Sequence, residues 1–143
     1  MDTDSPSPGF RSNLRATTSA SGVPYGYTIT IWSSGTVSAD VLGLPHLGQI
    51  LLFMAGAVLG FLVVNASAYG TLGVVTRQRA ADRMPIWAFV HWISAGVAVV
   101  AVWAADHALG GTLAWPVAGF LATAVYIVLQ AAQATLAARA GRA

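Results

Sequence analysis

The sequence predicts an all-α integral membrane protein, with four transmembrane helices in an up-down-up-down bundle and both termini in the cytoplasm (N-in/C-in). Three observations predict it. First, 56% of the 143 residues are hydrophobic and only 8% are charged, with a mean hydropathy of +0.67. A soluble domain carries about 25% charged residues, so lipid must be the solvent for much of this chain. Second, the apolar sequence falls into four segments separated by short polar or turn-forming stretches. Third, the seven basic residues are all arginines and alternate with those segments. Arg11 and Arg15 precede the first, Arg77, Arg79 and Arg83 separate the second from the third, and Arg139 and Arg142 follow the fourth. The connections around Asp40 and Asp106 carry no basic residue. Arginines near span ends are retained on the cytoplasmic side, so their spacing sets both span number and orientation.

Residues 1–21 are rich in Ser, Thr, Pro and Asp and lack an apolar run. They read as a disordered cytoplasmic tail rather than a cleavable signal peptide. The transmembrane domain follows over residues 22–137, and residues 138–143 form a second cytoplasmic tail.

Span one covers roughly residues 22–42 and is polar for its class, with Thr28, Thr30, Ser33, Ser34, Thr36 and Ser38. Its stretch Tyr27–Trp32 alternates like a strand, but a lone strand in lipid has no partners for its backbone, so a helix is expected. Pro24 suits the first turn. A span this polar belongs inside a bundle. Span two, roughly 47–75, is almost unbroken apolar sequence from Ile50 to Val64 and exceeds the ~20 residues needed to cross a bilayer core. Span three, roughly 84–105, has Pro85 in its first turn and Trp87 and Trp103 near opposite ends, as an aromatic belt requires. Span four, roughly 113–137, has Trp115 and Pro116 at its outer end.

Small residues mark where helices can meet. Gly56 and Gly60 form a GxxxG pair on span two, and Ala114, Ala118 and Ala122 form a ridge on span four. Such ridges allow the close backbone approach that drives packing in lipid. Four short helices also expose much lateral surface, so a homo-oligomer is expected.

A rise of ~1.5 Å per residue places Tyr27, Thr28, Asn65, His91 and Gln130 at one depth, with Tyr69 and Gln133 deeper towards the cytoplasm. An amide in hydrocarbon needs partners, so Asn65 either bonds across helices or lines a path. His91 is the ionisable group farthest inside a span and is a candidate by that fact. Thr28, Thr30, Asn65, Tyr69, His91 and Gln130 are therefore the candidate solute contacts, with spans one and two lining the path. Asp40, His46, Asp106 and His107 fall in the outer connections and read as ordinary loop residues. Together they are also capable of binding a divalent cation or sensing pH.

Much is excluded. The chain has no cysteine, which removes disulfides, thiolate metal sites and cysteine nucleophiles. No nucleophile elbow, HExxH or phosphate-binding glycine loop is present, so no enzyme, metal site or cofactor is expected. The arginines are too few and scattered for a nucleic acid. No carboxylate falls deep within a span, so no coupling machinery is legible. The expected function is a small oligomeric channel or facilitator for a small solute or ion, in a cell membrane of bacterial cytoplasmic type. The alternative is a non-transporting anchor or accessory subunit of a larger membrane complex. Lipid, a second copy of the chain and that complex are the expected partners.

Overall fold

The computed structural model describes residues 10–69 and 87–140, with side-chain surroundings for 25–68, 92–133 and 135–136. It is all-helical over these residues, with α1 (Phe10–Leu42), α2 (Leu47–Tyr69), α3 (Trp87–Leu109) and α4 (Gly111–Ala140). Residues 1–9, the segment 70–86 with Arg77, Arg79 and Arg83, and residues 141–143 lie outside the described part.

The helix ends have local causes. Gly43 stops α1 at φ +90° and Gly110 stops α3 at φ +62°, the left-handed conformation that closes a helix without a Cβ clash. The Gly110 amide donates back to the Asp106 carbonyl at 3.1 Å. At the start of α2, Gln49 Oε1 accepts from the His46 amide at 3.0 Å, while the Gln49 and Ile50 amides donate to the His46 carbonyl. Gln49 thus supplies the reach-back half of a capping box, with His46 in the capping position.

Boundaries differ from those read in the sequence in three helices, α4 also running on to Ala140 beyond the expected residue 137. α1 begins at Phe10 rather than Gly22 and so takes in residues 10–21 and Pro24; no proline interrupts Phe10 to Val23, and Leu14, Ala16 and Ala20 sustain a helix. α3 continues past Ala105 to Leu109, so Asp106 and His107 are helical rather than loop residues. α4 starts at Gly111, which places Pro116 inside the helix rather than at its tip.

Three helices, over Leu47–Ala68, Trp92–Leu109 and Gly111–Gln133, are long and apolar enough to cross a membrane; α1 is below that hydropathy. The core is inverted relative to a soluble protein. Around a cluster of Phe53, Val102, Trp115, Ala118 and Ala122, many buried positions are small or polar: Thr30, Ser34, Ser38, Ser94 and Thr123 beside Ala98 and Ala114. Large apolar side chains such as Leu51, Met54, Leu59, Leu62, Ile93 and Val100 are exposed. A fold that hides hydroxyls and shows leucines is stable only where the surroundings are apolar, which suggests a membrane protein.

α4 is the common partner. It packs against α1, α2 and α3, and α1 also packs against α3. Two kinds of contact hold these pairs. Between α2 and α4 the approach is backbone to backbone: a Cβ on Gly56 would run into the Pro116 carbonyl, and one on Gly60 would lie 2.7 Å from the Phe120 oxygen. Gly119 returns the arrangement, its missing Cβ being the space taken by the Phe53 carbonyl. The two helices run parallel, since 56 faces 116 and 60 faces 120. Among α1, α3 and α4 the contacts are polar: Ser38 with Asp106, Tyr27 with Thr123 and Ser94 with Gln133 each join a different pair.

Candidate functional site

One stripe of α1 carries the polar seam. Gly26, Thr30, Ser34 and Ser38 recur every four residues and all are buried. That spacing keeps a single face turned inward, with a slow rotation about the axis. Thr30 Oγ1 donates to the Gly26 carbonyl at 2.9 Å and so satisfies itself within α1. Ser34 Oγ is buried without a hydrogen-bond partner. Ser38 Oγ donates to Asp106 Oδ2 at 2.7 Å. Further along, the Tyr27 hydroxyl lies 3.1 Å from Thr123 Oγ1, and its ring sits 6.0 Å from that of Tyr126, tilted by 51°. Ser94 Oγ donates to Gln133 Oε1 at 2.8 Å. From Ser38 to Tyr27 the helical rise covers roughly 16 Å, about half a hydrocarbon core.

Asp106 is the unexpected member. The sequence places it among ordinary polar residues of an outer turn, but it lies in the last turn of α3 and is 1% exposed. Its Oδ2 accepts from Ser38, and its Oδ1 is buried with no partner. The apolar surroundings of Trp103 and Leu109 in the sequence conceal it, because burial depends on where α1 lies. The four-residue stripe on α1 is the signal that would have revealed the packing face.

A cleft of about 620 Å³ opens beside it, lined by Asp40, Leu42, Trp103, Asp106, His107 and Gly110 among others. His107 Nδ1 lies 2.9 Å from the Trp103 carbonyl, so Nδ1 carries the proton, and the two rings are 4.5 Å apart. Asp40 is exposed at the rim. His46 is at the start of α2 and does not line this cleft. Among the described residues, no group of three or more His, Asp or Glu side chains converges as a metal site would require.

Of the candidate solute contacts, Thr28, Thr30, Asn65 and Gln130 have described side chains. Thr30 is buried in the seam, whereas Thr28 is exposed on another face of α1. Asn65 Nδ2 donates to the Phe61 carbonyl of its own helix at 3.1 Å, and Ser67 Oγ does the same to Val63 at 2.8 Å. Gln130 is half-buried on α4. The side chains of Tyr69 and His91 lie outside the described residues. Among the described residues α1 packs mainly against α3 and α4, and hydrogen bonds between side chains link α1, α3 and α4.

No protein-family model, curated protein or solved structure matches this chain.

Proposed function

We propose that the chain is a four-span membrane protein, N-in/C-in, that passively conducts a small solute or ion along the α1/α3/α4 seam. The observation that carries this is the buried row Ser38, Ser34 and Thr30 leading inward from the Asp106 cleft. A core held together only for stability gains little from hydroxyls, since interhelical hydrogen bonds in lipid are worth only about 0.6 kcal/mol on average. A hydroxyl such as that of Ser34, with no partner, costs about 1–3 kcal/mol where a methyl group would cost nothing. Retaining it has a reason if a polar solute or water passes.

The low hydropathy of α1 fits a fourth span on the same grounds. Thr30, Ser34 and Ser38 face the bundle, and Thr36 Oγ1 donates to the Trp32 carbonyl at 2.9 Å, so lipid meets few free polar groups on this helix. Arginine placement orients it. Each protomer of a homo-oligomer would carry its own seam. No catalytic role, cofactor or metal enters this reading.

The test is flux through the purified protein in liposomes. Ser34→Val should reduce conductance of a small ion or polar solute without unfolding the bundle. Absence of any flux, together with stoichiometric recovery of a second membrane protein, would favour an accessory subunit instead.

A further inference from the structure

We propose that the cleft at the ends of α1 and α3 binds a small primary ammonium ion, whose N–H groups meet Asp106 Oδ1 while its carbon chain lies along Trp103. This deepens the facilitator reading by naming a class of solute, and it rests on that reading only for the direction of travel.

The first argument is an acceptor without a donor. Asp106 is 1% exposed, and its Oδ1 has no partner although Oδ2 is bonded to Ser38. A buried carboxylate oxygen left unpaired is costly, and the neighbouring groups do not relieve it. No arginine lines the cleft, and the His107 Nδ1–H is already given to the Trp103 carbonyl. An N–H donor from a ligand completes the site.

The second is the field. Asp40 adds a second carboxylate at the rim, and the cleft takes in the C-terminal turns of both α1 and α3. A helix end contributes roughly half an elementary charge, negative at the C-terminus. The single N-terminus present, that of α4 at Gly111, opposes only one of the two. The net potential favours a cation.

The third is the aromatic wall. Trp103 is 51% exposed and lines the cleft, and indole is the strongest cation–π surface among side chains. A bare divalent metal fits poorly, since it needs more oxygen ligands than converge here. A quaternary ammonium has no N–H to offer Oδ1. The volume of about 620 Å³ accommodates a small organic cation.

Calorimetric titration of the full chain in nanodiscs of neutral lipid with butylammonium chloride tests this. Saturable binding is expected, weakened about tenfold or more in Asp106→Asn, which keeps an acceptor for Ser38 but loses the charge. Trp103→Leu should weaken it by about threefold or more. Tetramethylammonium should bind more weakly, and n-pentanol not at all. The proposal is overturned by the absence of saturable binding, by unchanged affinity in Asp106→Asn, or by equal displacement with n-pentanol or sodium chloride. If Asp106→Asn does not fold, unchanged affinity in both Trp103→Leu and Asp40→Asn overturns it. Binding without flux upholds the site and removes the facilitator; flux of another solute without binding does the reverse.

Discussion

Ser38 Oγ and Asp106 Oδ2 lie 2.7 Å apart, joining the C-terminal ends of α1 and α3 through a buried side-chain hydrogen bond. The pair is short because its acceptor is a carboxylate, and both side chains are buried, with Asp106 at the wall of the cleft. It fixes the relative height of the two helices where the cleft opens.

Removing that bond should loosen α1. Ser38→Ala leaves both Asp106 oxygens without a protein donor, and a loss of about 1.5–3 kcal/mol is expected for a hydrogen bond to a charged group. A double-mutant cycle with Asp106→Ala, read by unfolding in mild detergent, should give a coupling energy above ~0.5 kcal/mol. Additivity of the two substitutions would show that the contact contributes nothing.

The glycines of the bundle should divide into two groups. Gly56→Val places side-chain atoms inside the Pro116 backbone, so α2 and α4 must separate; a loss of about 1–3 kcal/mol or failure to fold is expected. Gly96 meets nothing within 4 Å, and Gly96→Ala should be neutral or stabilising by up to about 1 kcal/mol through helix propensity. Equal thermal shifts in both variants would contradict the close contact.

Two unpartnered groups predict substitutions that cost little or no stability. Ser34 Oγ and Trp115 Nε1 are buried without acceptors or donors. Ser34→Ala should leave the melting temperature unchanged or raise it, since an orphaned polar atom disappears with little change in packing; in Trp115→Phe the same gain offsets the cavity left by the smaller ring, so the net shift should be small. For Ser34→Ala the same protein should conduct less. A sharp fall in melting temperature for either would mean that the atom has a partner in the membrane.

Asn65→Leu should be mild. Its amide is bonded within α2 to Phe61, so stability should change by less than about 1 kcal/mol. Flux should persist, because the polar seam runs elsewhere. Loss of flux in this variant alone would return the path to α2.

The absence of cysteine makes orientation easy to read. Leu44, in the α1–α2 connection, is 93% exposed. In right-side-out vesicles, Leu44→Cys should react with a membrane-impermeant maleimide, and Ser5→Cys should react only after permeabilisation. The opposite pattern would invert the arginine-based assignment.

The helical class and three apolar helices were legible because lipid demands long apolar runs, and those need no tertiary knowledge. The burial of Asp106 was not legible. Its fate depends on α1 lying across it, and contacts between distant segments leave no mark on local hydropathy. Depth alone grouped Tyr27, Thr28, Asn65 and Gln130 as one tier, yet residues at one height can face in different directions. Azimuth, which the four-residue stripe from Gly26 to Ser38 records, separates Thr30 from Thr28.

The arrangement around α4 bears on biogenesis. Synthesis proceeds from the amino end, so α1 and α2 leave the ribosome before either has the helix it packs against. α2 tolerates that interval: with a hydropathy of 2.4 it is soluble in lipid as a solitary helix. α1 does not, because Thr30, Ser34 and Ser38 find cover only once α3 and α4 arrive. On the proposed four-span reading its settled position is therefore a late event, and the step most exposed to delay or to capture by a membrane chaperone.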